Sequence, residues 1–69
     1  MNKIKYLLLE KAIKEANYLK FIYEKKLIKK IKPLSIYEVN NTLYLKCDNY
    51  QIFEVIKINN LTILKDRFN

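Results

Sequence analysis

The sequence predicts a mainly β domain, in which one N-terminal α-helix is followed by a five- to six-stranded, strongly bent antiparallel small barrel. Three observations carry this expectation. Residues 3 to 16 repeat their apolar side chains at three- and four-residue spacing, the signature of an amphipathic helix. From Tyr18 onward the period falls to two, and aromatic and branched residues dominate, as in strands. Turn signals then recur every 6 to 10 residues or so, too closely for further helices and in the rhythm of a small barrel. A single domain over residues 1–69 is expected, with the helix at about 3–16, the barrel at about 18–64 and a short C-terminal tail.

In the helix, Ile4, Leu8 and Ala12 with Leu9, Ile13 and Ala16 form the stripe. Lys3, Lys11, Lys14 and Glu15 lie largely off it, and Glu10 with Lys14 forms a favourable i, i+4 pair. The chain has no glycine, so Asn17 is expected to close the helix in the left-handed region. The first strand alternates Leu19, Phe21 and Tyr23 with Lys20, Ile22 and Glu24, which places Tyr23 beside Phe21 in the core. Glu24-Lys25-Lys26 turns the chain into a second strand, Leu27 to Lys32. Pro33 gives no amide hydrogen to a ladder and belongs at an edge, bend or start.

Leu34 to Val39 is the third strand, and Asn40-Asn41 is a two-residue hairpin turn, since Asn tolerates positive φ. Thr42 to Cys47 is the fourth strand, with Leu43, Leu45 and Cys47 on one face and Tyr44 and Lys46 on the other. Asp48-Asn49-Tyr50 turns the chain again. Ile52 to Lys57 is the fifth strand, with Phe53 and Val55 in the core. Asn59-Asn60 is expected to break it before a short last strand, Leu61 to Leu64, and Lys65 to Asn69 to fray or lead to a neighbour. Leu61 to Leu64 and Phe68 are more apolar than a free tail should be, which reads as a domain cut from a longer chain.

Composition narrows the function. With 51% apolar residues the chain should fold without disulfide or structural metal, although a chain of this size buries only about 60% of its unfolded surface. Cys47 is the only cysteine and histidine is absent, which excludes an intramolecular disulfide and a Cys/His zinc site. A reducing, cytoplasmic setting is expected. The apolar run near the N-terminus is about four residues long, short of the roughly 7 to 15 of a signal peptide, and no stretch approaches the roughly 18 of a membrane span. No nucleophile–base pair, glycine-rich phosphate loop or converging carboxylates can be assembled, so no enzyme, catalytic residue or cofactor is expected. Cys47 reads as a small buried hydrophobe.

Fourteen basic against seven acidic residues give a net charge of +7. Such a balance points to polyanionic partners, nucleic acid first. Part of it is attributed to codon bias, because abundant Lys, Ile, Asn and Tyr are what an A+T-rich genome encodes. Lys25, Lys26, Lys29, Lys30 and Lys32 place five cations in eight positions. Lys30 and Lys32 share a face and Lys29 points the other way. They form either a phosphate track or a solvated edge whose lysines block strand-to-strand aggregation. Tyr44 beside Lys46 suits a stacked base and its phosphate, or else Tyr44 caps the barrel mouth through its hydroxyl. Of the other tyrosines, Tyr37 is the better surface candidate.

Four segments, in order, resemble the WYL domain family. Leu9 to Tyr23 is similar to the family's alanine-containing helix and aromatic strand. Lys29 to Leu34 resembles its basic-residue-then-Pro-Leu motif. Leu43-Tyr44-Leu45 stands where Trp-Tyr-Leu belongs, ten residues after Pro33. Residues 53 to 58, F-E-V-I-K-I, resemble its Phe-Arg-Leu-Asp-Arg-Ile run, followed by L-T-I-L and Phe68. The departures are Leu43 for Trp, Glu54 for an arginine, Ile56 for the aspartate, and Lys29 and Lys57 for arginines. Lys lacks the bidentate fork of Arg, so an inherited anion site would be weaker or less selective.

The resemblance implies an Sm-like, SH3-type small barrel with an N-terminal helix. It also implies a bacterial regulatory or ligand-sensing module, appended to helix-turn-helix or winged-helix regulators, DNA helicases or CRISPR-associated proteins. Such modules bind single-stranded nucleic acid or nucleotide-like anions. Lys29 and Lys57 match the family's basic positions. With Lys30, Lys32, Tyr44 and Lys46 they make up the expected anion site. The expected partners are a single-stranded nucleic acid or nucleotide-like anion, a helicase or regulator domain, and a second copy of the chain, with no membrane. The alternative is a protein-interaction or oligomerisation module whose lysines serve solubility.

Overall fold

A computed structural model describes residues 3–68 and shows a mainly β fold with one N-terminal helix. Helix α1 (Lys3–Glu15) leads into β1 (Asn17–Tyr23), β2 (Lys26–Ile31), β3 (Pro33–Val39), β4 (Thr42–Cys47) and β5 (Ile52–Glu54). A single 3-10 turn (Val55–Lys57) precedes β6 (Ile58–Arg67). The strands form two antiparallel three-stranded sheets, β2-β1-β6 and β3-β4-β5.

This corrects the expected barrel, for no ladder joins one sheet to the other among the described residues. The reason lies at the two crossings. Lys32 alone separates β2 from β3, and Pro33 brings no amide hydrogen to extend pairing through the corner. The 3-10 turn at Val55–Lys57 interrupts what alternation read as one strand from Ile52 to Lys57.

The core lies between the sheets. Leu19 and Phe21 of β1, Ile31 of β2, Leu45 and Cys47 of β4, Phe53 of β5, Val55 and Ile58 are buried there. Phe53 meets Phe21 edge-to-face at 5.1 Å and Tyr23 at 4.9 Å, an arrangement favoured by the ring quadrupoles. Tyr23 sits at the core margin, where its hydroxyl accepts the Glu54 amide hydrogen at 3.1 Å. Helix α1 closes the core with Leu9 and Ala12, packing on β1, β3 and β6. The outer half of its predicted stripe stays exposed, with Ile4 at 69% and Leu8 at 37%. Lys5 fixes the helix by donating to the carbonyls of Val55 (3.2 Å) and Ile58 (2.6 Å).

Three further expectations change. Ala16, not Asn17, takes the left-handed conformation (φ 58°), so β1 begins one residue early. Asn59-Asn60 does not break the chain. Asn60 (φ 51°) instead marks an irregularity as β6 pairs with β1, and the strand continues to Arg67. The stretch from Lys65 does not fray, since Arg67 pairs with Asn17 and the Phe68 amide donates to the Ala16 carbonyl at 2.8 Å. Asn69, the end of that predicted tail, lies outside the described residues. The apolar character of Leu61 to Leu64 follows from β6, whose Leu61 and Ile63 pack against the core.

Without glycine, eight other residues adopt positive φ among the described ones. Asn40-Asn41 does so at φ 50° and 65°, as predicted, but Glu24-Lys25 uses the same geometry at 49° and 67°. A β-carbon in this region costs about 1–2 kcal/mol, partly offset in a glycine variant by about 0.5–1 kcal/mol of extra unfolded-chain entropy. Lys25→Gly is therefore expected to stabilise the fold by about 0.5–1 kcal/mol, raising Tm by about 2 to 8 °C in thermal unfolding followed by circular dichroism.

Candidate nucleic-acid interface

The lysine-rich segment forms the β1–β2 turn and β2, a free edge of the first sheet. Lys25, Lys26, Lys29 and Lys30 are exposed and Lys32 is half-buried. Lys29 lies in the irregular stretch between the Leu19–Ile31 and Phe21–Ile28 pairs and makes no ion pair with any described residue.

Lys30 and Lys32, expected on one face, meet over one aromatic pair. The Lys30 Nζ sits 4.5 Å from the centre of the Tyr18 ring, and the Lys32 Nζ 4.9 Å from that of Phe68. The two rings touch edge-to-face at 5.3 Å. Lys30 also reaches Asp66 Oδ2 at 3.3 Å across the sheet. Both partners of that pair are at least half exposed, so it contributes only about 0–1 kcal/mol and can be exchanged for a phosphate. Neither Tyr18 nor Phe68 was legible as part of this cluster, because Phe68 falls in a segment read as a tail.

Tyr44 and Lys46 project from the outer face of the second sheet, away from buried Leu45 and Cys47, as alternation predicts. Tyr44 stacks on its cross-strand partner Tyr37, with centroids 5.6 Å apart and planes 24° from parallel. Lys46 is exposed, between Ser35 and Ile52 in the ladder.

Lys57 stands apart from the other cations. Its Nζ contacts Glu24 Oε2 at 3.4 Å and Glu54 Oε1 at 3.5 Å. The hydrogen bond to Glu24, then the charges of Glu54 and Glu24, hold its pKa above the ordinary lysine value. One cation between two carboxylates has little field left for a phosphate. The six predicted residues thus fall into separate groups rather than one pocket. Lys30 and Lys32 meet on the first sheet, with Lys29 nearby on β2. Tyr44 and Lys46 share the second sheet, and Lys57 is bound to acids.

Two surface hollows lie elsewhere. One of about 580 Å³ runs along α1 beside Leu7, Lys11 and Lys14. Another, of about 430 Å³, is lined by Lys3, Tyr6, Glu38 and Leu43. The Tyr6 hydroxyl donates to Glu10 at 3.2 Å, which raises the Tyr6 pKa. Tyr50, in the turn after β4, is 96% exposed at φ 61°. Among the described residues no three His, Cys, Asp or Glu side chains could share a metal ion, and no helix is long and apolar enough to cross a membrane.

Burial, and secondarily the neighbouring Asp48 charge, push the Cys47 thiol from 9.0 up to about 12. Between those values the unfolded chain gives up this proton and the folded chain keeps it, so folding weakens as pH rises. Wild type is expected to lose stability relative to Cys47→Ala by about 1.4 kcal/mol per pH unit at most above about pH 9, read from urea unfolding of both proteins.

In comparisons with known proteins, no family model, curated protein or solved structure matches this chain.

Proposed function

We propose that this domain is a WYL-like regulatory or accessory module, a variant of the SH3/Sm-like small barrel opened into two sheets. It binds single-stranded nucleic acid or a nucleotide-like anion and assists a larger protein such as a DNA helicase or transcription regulator. The supporting observation is the edge strand β2. Four of the five lysines between positions 25 and 32 are exposed, and among the described residues only Asp66 forms an ion pair with this run, at Lys30. Such a row neutralises successive phosphates and releases their counterions. Lys29 and Lys30 lead the interaction, and Lys32 extends it over Phe68.

The test is fluorescence anisotropy with a labelled single strand of about 15 nucleotides, run beside a matched duplex. If about four phosphates are held, affinity falls roughly 50-fold between about 50 and about 200 mM salt. Lys29→Glu lowers affinity roughly tenfold and flattens the salt slope by about one phosphate contact. Lys57→Gln, already occupied by two carboxylates, changes affinity less than about twofold. No binding at low salt would sink the proposal.

The alternative, self-association, is favoured by one observation. Ile4, Leu7 and Leu8 of α1 are 69%, 52% and 37% exposed, an apolar patch on a helix otherwise used for the core. Sedimentation in high salt separates the two roles, since apolar association survives screening and a phosphate contact does not.

A further inference from the structure

We infer that the outer face of the second sheet is a base-stacking platform. The ligand would then be a strand with unpaired bases, rather than a duplex or an isolated anion. This rests on the proposed nucleic-acid role and names the part of the ligand that the lysines cannot recognise.

Tyr37 and Tyr44 lie opposite each other on β3 and β4 and stack at 5.6 Å. That contact could serve as ordinary cross-strand packing. Yet Tyr37 is 37% exposed, and on the same face Val39 and Ile52 are 48% and 52% exposed. Two exposed apolar side chains, among polar Ser35, Thr42, Lys46 and Glu54, therefore flank two nearly parallel rings, with no helix on this face, for α1 adds its buried side chains to the core.

The charges around the rings select the occupant. Glu54 pairs with Tyr44 in the ladder, and its carboxylate is answered by Lys57 at 3.5 Å. Lys46 follows Tyr44 by two residues on the same face, about 7 Å along the strand, and has no ion pair among the described residues. A pair of rings flanked by Val39 and Ile52, with one uncommitted cation at its side, fits a base on the rings and its phosphate on Lys46. Stacking of this kind tolerates any base, because every base presents a π-face. A duplex keeps its bases stacked on one another and cannot use the platform.

The test compares a thymidine oligomer of about 15 nucleotides with an abasic strand of equal length, which keeps the phosphates and lacks the bases. Wild type is expected to prefer the thymidine strand roughly tenfold. Tyr37→Leu should remove that preference while binding the abasic strand as before, and Tyr37→Phe should retain it. Equal binding of both strands by wild type overturns the platform while leaving the phosphate track standing. Binding of neither overturns both. Should Tyr37→Leu fail to fold, Tyr44→Leu makes the same comparison.

Discussion

The two sheets depend on one corner. Lys32 belongs to no strand, yet its amide donates to Asp48 Oδ1 at 3.2 Å and its carbonyl accepts from the Asp48 amide at 3.0 Å. Beside it Pro33 faces Cys47 in the ladder and cannot donate. Asp48 therefore does with side chain and backbone what a further rung of the β3–β4 ladder would have done. A carboxylate is suited to that place, because charge-assisted hydrogen bonds are stronger than neutral ones. The loop holding Asp48 is itself closed by hydrogen bonds from Cys47 to Gln51 and from Gln51 to Asp48. With that corner fixed, Ile31 of one sheet and Leu45 and Cys47 of the other are carried into a common core. The same corner commits the backbone of Lys32 and leaves its side chain to reach Phe68.

Turn chemistry decides how tightly the remaining connections fold. A chain without glycine must place β-carbons in the left-handed region wherever a two-residue hairpin is used. Asn40 and Asn41 meet that demand with a residue type suited to it, whereas Ala16, Glu24, Lys25 and Tyr50 do not. These positions store conformational cost that tertiary contacts must offset. Lys5, which ties α1 to the carbonyls of Val55 and Ile58, and Phe68, which ties the end of β6 to Ala16 and Tyr18, supply such contacts.

What was legible in the chain is what local periodicity encodes. The helix, the first four strands and the burial of Phe21, Leu45, Cys47, Phe53 and Val55 follow from spacing alone. The break between β5 and β6 did not, because F-E-V-I-K-I alternates as a strand while Val55–Lys57 makes a 3-10 turn. Asn59-Asn60 misled for the opposite reason. Two residues that favour turns were absorbed by an irregular pairing with β1. For the candidate site, alternation placed Tyr44 and Lys46 on the outer face. It could not show that Lys57 lies between Glu24 and Glu54, since one of those acids is 33 residues away in the chain. Nor could it show Tyr37 lying against Tyr44, a contact that requires the hairpin register.

The distribution of charge carries more meaning than its sum. Of seven acidic residues, Glu10 accepts from Tyr6, Asp48 holds the corner, Glu24 and Glu54 share Lys57, and Asp66 meets Lys30. The acids are largely consumed by internal contacts, and the excess of lysine is left on the surface, densest along β2. Protection of a sheet edge and attraction of phosphates are both satisfied by that row, because each needs only an unpaired cation facing water. Codon bias could supply the same lysines without either purpose. None of these accounts requires two stacked tyrosines on the other sheet with apolar neighbours and an unpaired lysine beside them. In that proposed role, lysines on an edge would fix where a polyanion is held. Aromatic rings on an open face would distinguish a strand with free bases from any other polyanion, so that specificity would rest on the second sheet.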